Sequence, residues 1–188
     1  MSTMDRTDYL IVLTGGPGVG KTALLAEFQK QGFTIVQEDA RRIIREQMET
    51  RGDALPWKNK LHYAQLMLDA SCISYTNQII KSPRQYIFFD RGIPDTLAYI
   101  AMENLIFETE LLQEAKQLRY HRKVFILPPW ADIYENDDER KQTWQEAEDT
   151  FKVMKDTYEK LGYETITVPQ ASIEQRAQFI LETLNPKD

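Results

Sequence analysis

The sequence predicts an α/β fold of three layers, a five-stranded parallel sheet with helices on both faces. Three observations carry that prediction. Five short runs, 9–14, 33–37, 86–90, 123–127 and 164–168, are apolar and rich in β-branched or aromatic residues. Nearly continuous runs of this kind are what strands covered on both faces require. Helical patterns fill several of the intervals between them, and a glycine-rich octapeptide joins the first run to the first helix. Strands that alternate with helices imply right-handed crossovers, hence a parallel sheet.

The elements follow in order. After the first strand, a helix over 21–31 ends at Gly32, a residue suited to the left-handed position past a helix end. The second strand, 33–37, leads to Asp39, an N-cap for the helix that carries Arg41 and Arg45. A long helical stretch over 58–81 stops before Ser82-Pro83, and Cys72 within it reads as a small buried hydrophobe. Trp144, Ala147, Phe151, Met154, Tyr158 and Leu161 step by three and four, tracing one core-facing stripe that Gly162 ends. Ser172 and Gln175 form a capping-box pair for the last helix, whose core face is Ile173, Ala177, Ile180 and Leu184.

At 188 residues the chain fits a single domain, 1–188, with enough material for a sizeable core. Hydrophobic residues at 42% and charged residues at 28% are the balance of a soluble globular protein. No apolar run approaches the ~20 residues that cross a bilayer. Met1 to Asp8 lacks the character of a signal peptide, so the expected compartment is the cytoplasm. One cysteine excludes an internal disulfide, and His62 and His121 are too scattered for a zinc motif. A net charge of −6 argues against nucleic acid as a direct partner. Two basic clusters, Arg41, Arg42 and Arg45, then Arg119, His121, Arg122 and Lys123, fit a small anionic ligand or local ion-pair networks.

Gly15, Gly16, Pro17, Gly18, Val19, Gly20, Lys21 and Thr22 satisfy G-x-x-x-x-G-K-[ST], after a strand and opening a helix. Glycines let the backbone curl so that successive N–H groups meet phosphate oxygens, and the helix N-terminus adds partial positive charge. Lys21 supplies a point charge to the β- and γ-phosphates, and the Thr22 hydroxyl is a magnesium ligand. The ligand expected is therefore a nucleoside triphosphate with Mg2+. A second metal anchor is expected at the end of a neighbouring strand. Asp90 supplies it, directly after the apolar run Tyr86-Ile87-Phe88-Phe89.

No Asn-Lys-x-Asp guanine-reading motif is present, and the length leaves no room for a motor's separate helical lid domain, both of which favour the kinase-like branch of P-loop proteins, with ATP expected over GTP. Asp90-Arg91-Gly92 resembles the Asp/Glu-Arg-Ser signature of nucleoside and thymidylate kinases. More specifically, the chain resembles the AAA_28-type small ATPases related to the nicotinamide riboside kinase domain. The matching segments are 15–22, Glu38-Asp39-Ala40-Arg41, Phe89-Asp90-Arg91-Gly92, Leu127-Pro128-Pro129-Trp130, Asp138-Glu139-Arg140, 158–163 and Val168-Pro169 leading to Arg176. The family's Glu-Ala-Ala-Arg here has Asp39 in place of its first alanine, so the carboxylate that meets an acceptor is Glu38 or Asp39. The resemblance implies a kinase-like strand order, 2-3-1-4-5, and a lid at about 128–142 carrying Arg140.

Roles follow from these placements. Glu38 lies where a general base would meet an acceptor hydroxyl, at the carboxyl ends of the strands. Arg41 and Arg91 are candidate acceptor contacts, although Arg41 and Arg45 equally make a solvated face. Arg140 either neutralises the transferred phosphoryl group or pairs with Asp137, Asp138 and Glu139. The expected function is Mg-dependent transfer of the γ-phosphate of ATP to a small-molecule acceptor, with Lys21, Glu38, Asp90 and Arg140 as catalytic residues. A nucleotide-responsive regulatory module with slow hydrolysis is the competing reading.

Overall fold

A computed structural model describes residues 5–81, 83–131 and 143–185. Five strands, β1 (Leu10–Gly15), β2 (Thr34–Val36), β3 (Ile87–Asp90), β4 (Lys123–Leu127) and β5 (Glu164–Thr167), form one sheet. Every neighbouring pair is parallel, in the order β2-β3-β1-β4-β5. Around the sheet lie α1 (Lys21–Lys30), α2 (Ala40–Glu49), α3 (Lys60–Ile79), α4 (Ile93–Met102), α5 (Thr109–Gln117), α6 (Trp144–Lys160) and α7 (Ile173–Leu184). The α/β class and the strand order are those the sequence predicts.

β1 is buried along its whole length, and its alternating side chains divide the core in two. Leu10 and Val12 face one side, packing with Phe89, Leu97, Val124 and Tyr158. Ile11 and Leu13 face the other, where Phe28 of α1 stacks on Phe88 at 3.9 Å between ring centroids. Phe33 meets both rings edge-on, the arrangement that ring quadrupoles favour.

Three expectations need correction. Burial on both faces holds for β1, β3 and β4, but β2 and β5 are only partly covered, because they are the sheet's edges. Trp144 is 40% exposed at the first turn of α6, while Ala147, Met154 and Tyr158 below it are buried. Cys72 is only half-buried and Ile73 is 61% exposed, since α3 packs against α2 and α4 and keeps an open side. The cap of α7 is as expected, with Ser172 and Gln175 exchanging hydrogen bonds of 3.3 and 3.2 Å.

Candidate functional site

The phosphate loop bends out of β1 at Gly15, whose φ is +145°. A Cβ there would lie 2.6 Å from the Leu127 carbonyl oxygen on β4, so any side chain would force the two central strands apart. At the loop's far end Gly20 has φ +81°, and a Cβ would meet the Arg176 guanidinium at 3.0 Å. Two different neighbours thus demand glycine at the two ends. Lys21, the first residue of α1, is nearly buried, and its Nζ lies 2.9 Å from Asp90 Oδ1. That contact is ionic without the alignment of a hydrogen bond, and it leaves a buried carboxylate oxygen unsatisfied. The β1–β3 register, Leu13 opposite Asp90, sets the acid beside the loop. Thr22 is exposed in the first turn of α1.

Arg91 leaves β3 with φ +69°, a left-handed conformation uncommon for a residue with a side chain. Its N–H donates to the Leu13 carbonyl at 3.0 Å. The turned side chain reaches two acids: Nε is 2.9 Å from Glu38 Oε1, and Nη1 is 3.2 Å from Asp95 Oδ1. Burial alone would lower the pKa of this guanidinium, but the carboxylates of Asp95, Glu38 and Asp90 outweigh burial and raise it above its ordinary value.

Asp95 was not singled out by sequence reasoning, although Pro94 beside it and its place in a first helical turn are start-of-helix signals. It is the most heavily bonded carboxylate of the region. It accepts from the Thr14 hydroxyl, from the Gly92 N–H at 2.8 Å, from the Tyr158 hydroxyl at 2.5 Å and from Arg91. Four donors satisfy a group that burial would otherwise make costly. The same bonds tie β1, β3, α4 and α6 together.

Beyond the loop opens a cleft of about 390 Å³, bordered by Pro17, Glu38, Asp90 and Arg91. Its far walls are apolar and aromatic, with Tyr63 and Met67 of α3 and Tyr99 and Met102 of α4. The Tyr63 and Tyr99 rings stand at 85°, with centroids 5.7 Å apart. Burial, then the charge of Glu38, pushes the Tyr63 hydroxyl up to about 12, and burial, then Glu103, does the same to Tyr99. Both remain proton donors at neutral pH.

Other predicted residues fall elsewhere. Asp39 sits at the N-cap position of α2, but its backbone is already helical, at φ −80° and ψ −14°, and its side chain makes no capping bond. An N-cap needs extended backbone to aim its oxygen at the first turn. The Asp39 carboxylate accepts instead from Arg42 at 2.8 Å and from the Ser74 hydroxyl at 3.0 Å. Arg41 is exposed on α2 and does not border the cleft. Both basic clusters contain structural contacts: Arg42 bridges Asp39 and Glu46, Arg119 lies 4.1 Å over the Tyr163 ring, and Arg122 pairs with Glu164. Arg140, with the expected lid from residue 132 to 142, lies outside the described residues.

A second arginine was carried only as part of a resemblance and assigned no role. Arg176 on α7 is 4% exposed, and its Nη1 donates to the Val19 carbonyl in the phosphate loop at 3.2 Å. Its guanidinium lies 5.7 Å from the Trp130 ring, and its Nε is buried with no hydrogen-bond partner. Burial lowers its pKa from the ordinary arginine value. No acid among the described residues pairs with it. The sequence held a signal, since position 176 lies three after Ile173 and four before Ile180, on the predicted core face.

The family model AAA_28, described as an AAA domain, matches residues 10–176. No curated protein matches the chain in sequence. Among solved structures, deoxyadenosine kinase from M. mycoides with dCMP and dCDP bound superposes with a TM-score of 0.60 at 17% identity, covering 95% of this chain and 100% of that one. Thymidylate kinase from Ehrlichia chaffeensis gives 0.59 at 16% identity, covering 94% and 98%. The NadR protein in complex with NR gives 0.66 at 14% identity, covering 97% of this chain and 54% of that one. At such identities the likeness is one of fold, that of a P-loop kinase. No helix among the described residues is long and apolar enough to cross a membrane.

Proposed function

The chain belongs to the AAA_28 family, and from that premise we propose that it is a Mg-dependent phosphotransferase moving the γ-phosphate of ATP to a small-molecule acceptor. One observation carries the reading: a single cleft runs from the phosphate loop at Pro17, past Asp90, to Glu38 and Arg91 between aromatic walls. A hydrolytic switch needs no such second chamber beside its phosphates. The volume suits a small ligand, for which pockets of ~300–1,000 Å³ are usual.

Loop N–H groups and Lys21 receive the triphosphate, and Lys21 leaves Asp90 to do so. Thr22 and Asp90 would hold magnesium. Hydroxyl and carboxylate oxygens fit a hard cation, and the unsatisfied Asp90 oxygen becomes available once Lys21 turns to phosphate. Among the described residues no cluster of three or more His, Cys, Asp or Glu could hold a metal by itself, in keeping with a cation bound together with nucleotide phosphates. When bound, magnesium neutralises charge on the β- and γ-oxygens.

Arg91 engages Oε1 of Glu38. In the transfer step the acceptor oxygen forms a bond to the γ-phosphorus as the bond from that phosphorus to the β–γ bridging oxygen breaks. The acceptor proton passes to Glu38, and ADP leaves with the bridging oxygen. Asp95 holds Arg91, and Arg91 holds Glu38. Arg140, as a phosphoryl contact, and Arg41, as an acceptor contact, stay subsidiary proposals that single substitutions would test.

One observation favours a second reading, a nucleotide-responsive regulatory module. Lys21 and Glu38 are each engaged by a partner within the chain, so nucleotide entry itself rearranges the site. Incubation with ATP, magnesium and an acceptor panel decides between them, with ADP release and product mass as readouts. An acceptor-dependent mass gain of one phosphoryl group supports transfer. ADP release indifferent to every acceptor moves the conclusion to the regulatory module.

A further inference from the structure

Asp95 divides its two carboxylate oxygens between different tasks. Oδ1 faces the Thr14 hydroxyl and Nη1 of Arg91. Oδ2 accepts from the Gly92 N–H at 2.8 Å and from the Tyr158 hydroxyl at 2.5 Å. A carboxylate is planar, so donors that fix one oxygen also aim the other. The Gly92 N–H belongs to the same helix start as Asp95, whereas Tyr158 comes from α6, 63 positions away.

The fold makes room for that phenol. Gly92 precedes α4 with extended backbone, at φ −126° and ψ 178°, so its dihedral angles do not call for glycine. Space does: a Cβ there would lie 3.1 Å from the Tyr158 hydroxyl oxygen, 3.1 Å from Val12 Cγ2 and 3.2 Å from Tyr120 Cε2. Where the Asp/Glu-Arg-Ser signature has serine, glycine here leaves the space to Tyr158. The Tyr158 side chain is fully buried, and its ring meets that of Tyr163 edge-on, at 70° with centroids 5.5 Å apart. Burial, then the Asp95 charge, pushes its pKa well above the ordinary tyrosine value, so the hydroxyl stays a donor at neutral pH. One helical turn earlier on α6, Met154 Sδ lies 3.9 Å from Arg91 Nη1. One face of α6 therefore touches both Asp95 and Arg91.

On the transfer reading, we infer that Tyr158 is a positioning residue: its hydroxyl, seated beside Gly92, orients Asp95, which holds Arg91 against Glu38. The base that meets the acceptor is thus aimed from α6, on the opposite side of Arg91.

Tyr158→Phe keeps the ring and removes the hydroxyl. Tyr163→Phe is the matched control, since its hydroxyl is also buried but accepts from the Tyr120 N–H at 3.2 Å instead. Both variants should lose comparable stability in urea. In side-chain NMR of the free protein, the Arg91 guanidinium should rotate about its Nε–Cζ bond faster in Tyr158→Phe than in wild type or Tyr163→Phe. With ATP, magnesium and the acceptor panel, kcat for transfer should fall about 10-fold to 100-fold in Tyr158→Phe alone, the usual consequence of a reacting group displaced by up to ~1 Å. MgATP affinity should stay that of wild type. Should Tyr158→Phe not fold, Gly92→Ala, whose Cβ presses on the same hydroxyl, should give the same pattern more weakly. Unchanged Arg91 rotation or unchanged kcat in the folded variant, or equal losses in Tyr163→Phe, would overturn the inference. Absence of transfer in wild type would instead sink the phosphotransferase reading, and Arg91 rotation would still judge Tyr158.

Discussion

Arg91 and Arg176 both place a guanidinium deep in the molecule beside the phosphate loop, yet their surroundings are opposite. Arg91 follows β3 and meets two carboxylates within 3.2 Å, with Asp90 adding to the field. Arg176 projects from α7 and has a backbone carbonyl and an aromatic ring, but no carboxylate among the described residues; the Nε atoms of both arginines lack a hydrogen-bond partner. An ion taken from water into a protein costs several kcal/mol unless it is paired. At Arg91 the chain meets that cost with its own acids, so the charge is used up in fixing Glu38. At Arg176 no carboxylate among the described residues does so. One side of the loop is therefore neutralised by the chain's own acids, and the other carries a buried guanidinium that no described acid pairs.

The largest effect should come from the paired side. We predict that Glu38→Gln lowers acceptor-dependent ADP release by about 10²–10⁴, the usual share of general-base catalysis, with MgATP affinity and background hydrolysis nearly unchanged. Asp39→Asn should be measured beside it, because Asp39 also borders the cleft. Undiminished transfer in both folded variants would remove the carboxylate base from the mechanism.

Asp95→Asn should make Arg91 resemble Arg176. Removing one partner from a buried ion pair costs about 3–5 kcal/mol, so urea unfolding should report a loss of that order. Glu38 would be less firmly held, and KM for the acceptor should rise in the fraction that folds. A variant as stable as wild type would mean that the Asp95 charge is not what Arg91 relies on.

Lys21→Ala tests the loop between the two arginines. Loss of one preorganised charge usually lowers the rate by about 10²–10³, and MgATP affinity should fall with it. The substitution also leaves Asp90 unpaired, so thermal unfolding of the free protein should move down slightly. Wild-type turnover with unchanged calorimetry would show that the 2.9 Å contact with Asp90 is the whole of the lysine's role.

The paired side was largely legible in the sequence and the unpaired side was not. Gly15 to Thr22, Asp90 and Glu38 sit at ends of strands that apolar runs mark, so chain direction alone gathers them at one edge of a parallel sheet. Strand order followed from resemblance, and the sheet agrees. What stayed hidden depends on contacts across long separations: Thr14 with Asp95, Tyr158 with Asp95, Val19 with Arg176. No local pattern encodes a bond spanning 157 positions. Asp39 shows the converse failure. Its residue type favours capping, but the backbone in which tertiary packing holds it turns its carboxylate toward Arg42 and Ser74.

The smallest predicted effect is the most discriminating one. Arg176→Met keeps an unbranched, flexible side chain in the same space and removes only charge and donors. If Arg176 merely braced the loop, the variant should lose stability without nucleotide, and every ligand should weaken by the same factor. If its charge awaits a polyphosphate, two opposing terms act in the free protein. A hydrogen bond to Val19 is lost, worth about 1 kcal/mol, while the unpaired buried cation disappears. Its melting temperature should therefore hold steady or rise. Affinity for MgATP should fall about tenfold, equivalent to about 1.4 kcal/mol. The loss should shrink stepwise from ATP to ADP to AMP, and should reappear in full with tripolyphosphate, which has no base to bind. Arg91→Met supplies the contrast: it strands Glu38 and Asp95 as unpaired acids, so it should destabilise the free protein whatever nucleotide is added. A phosphate-independent loss at Arg176, or a fall in stability matching that of Arg91→Met, would erase the distinction between the two arginines.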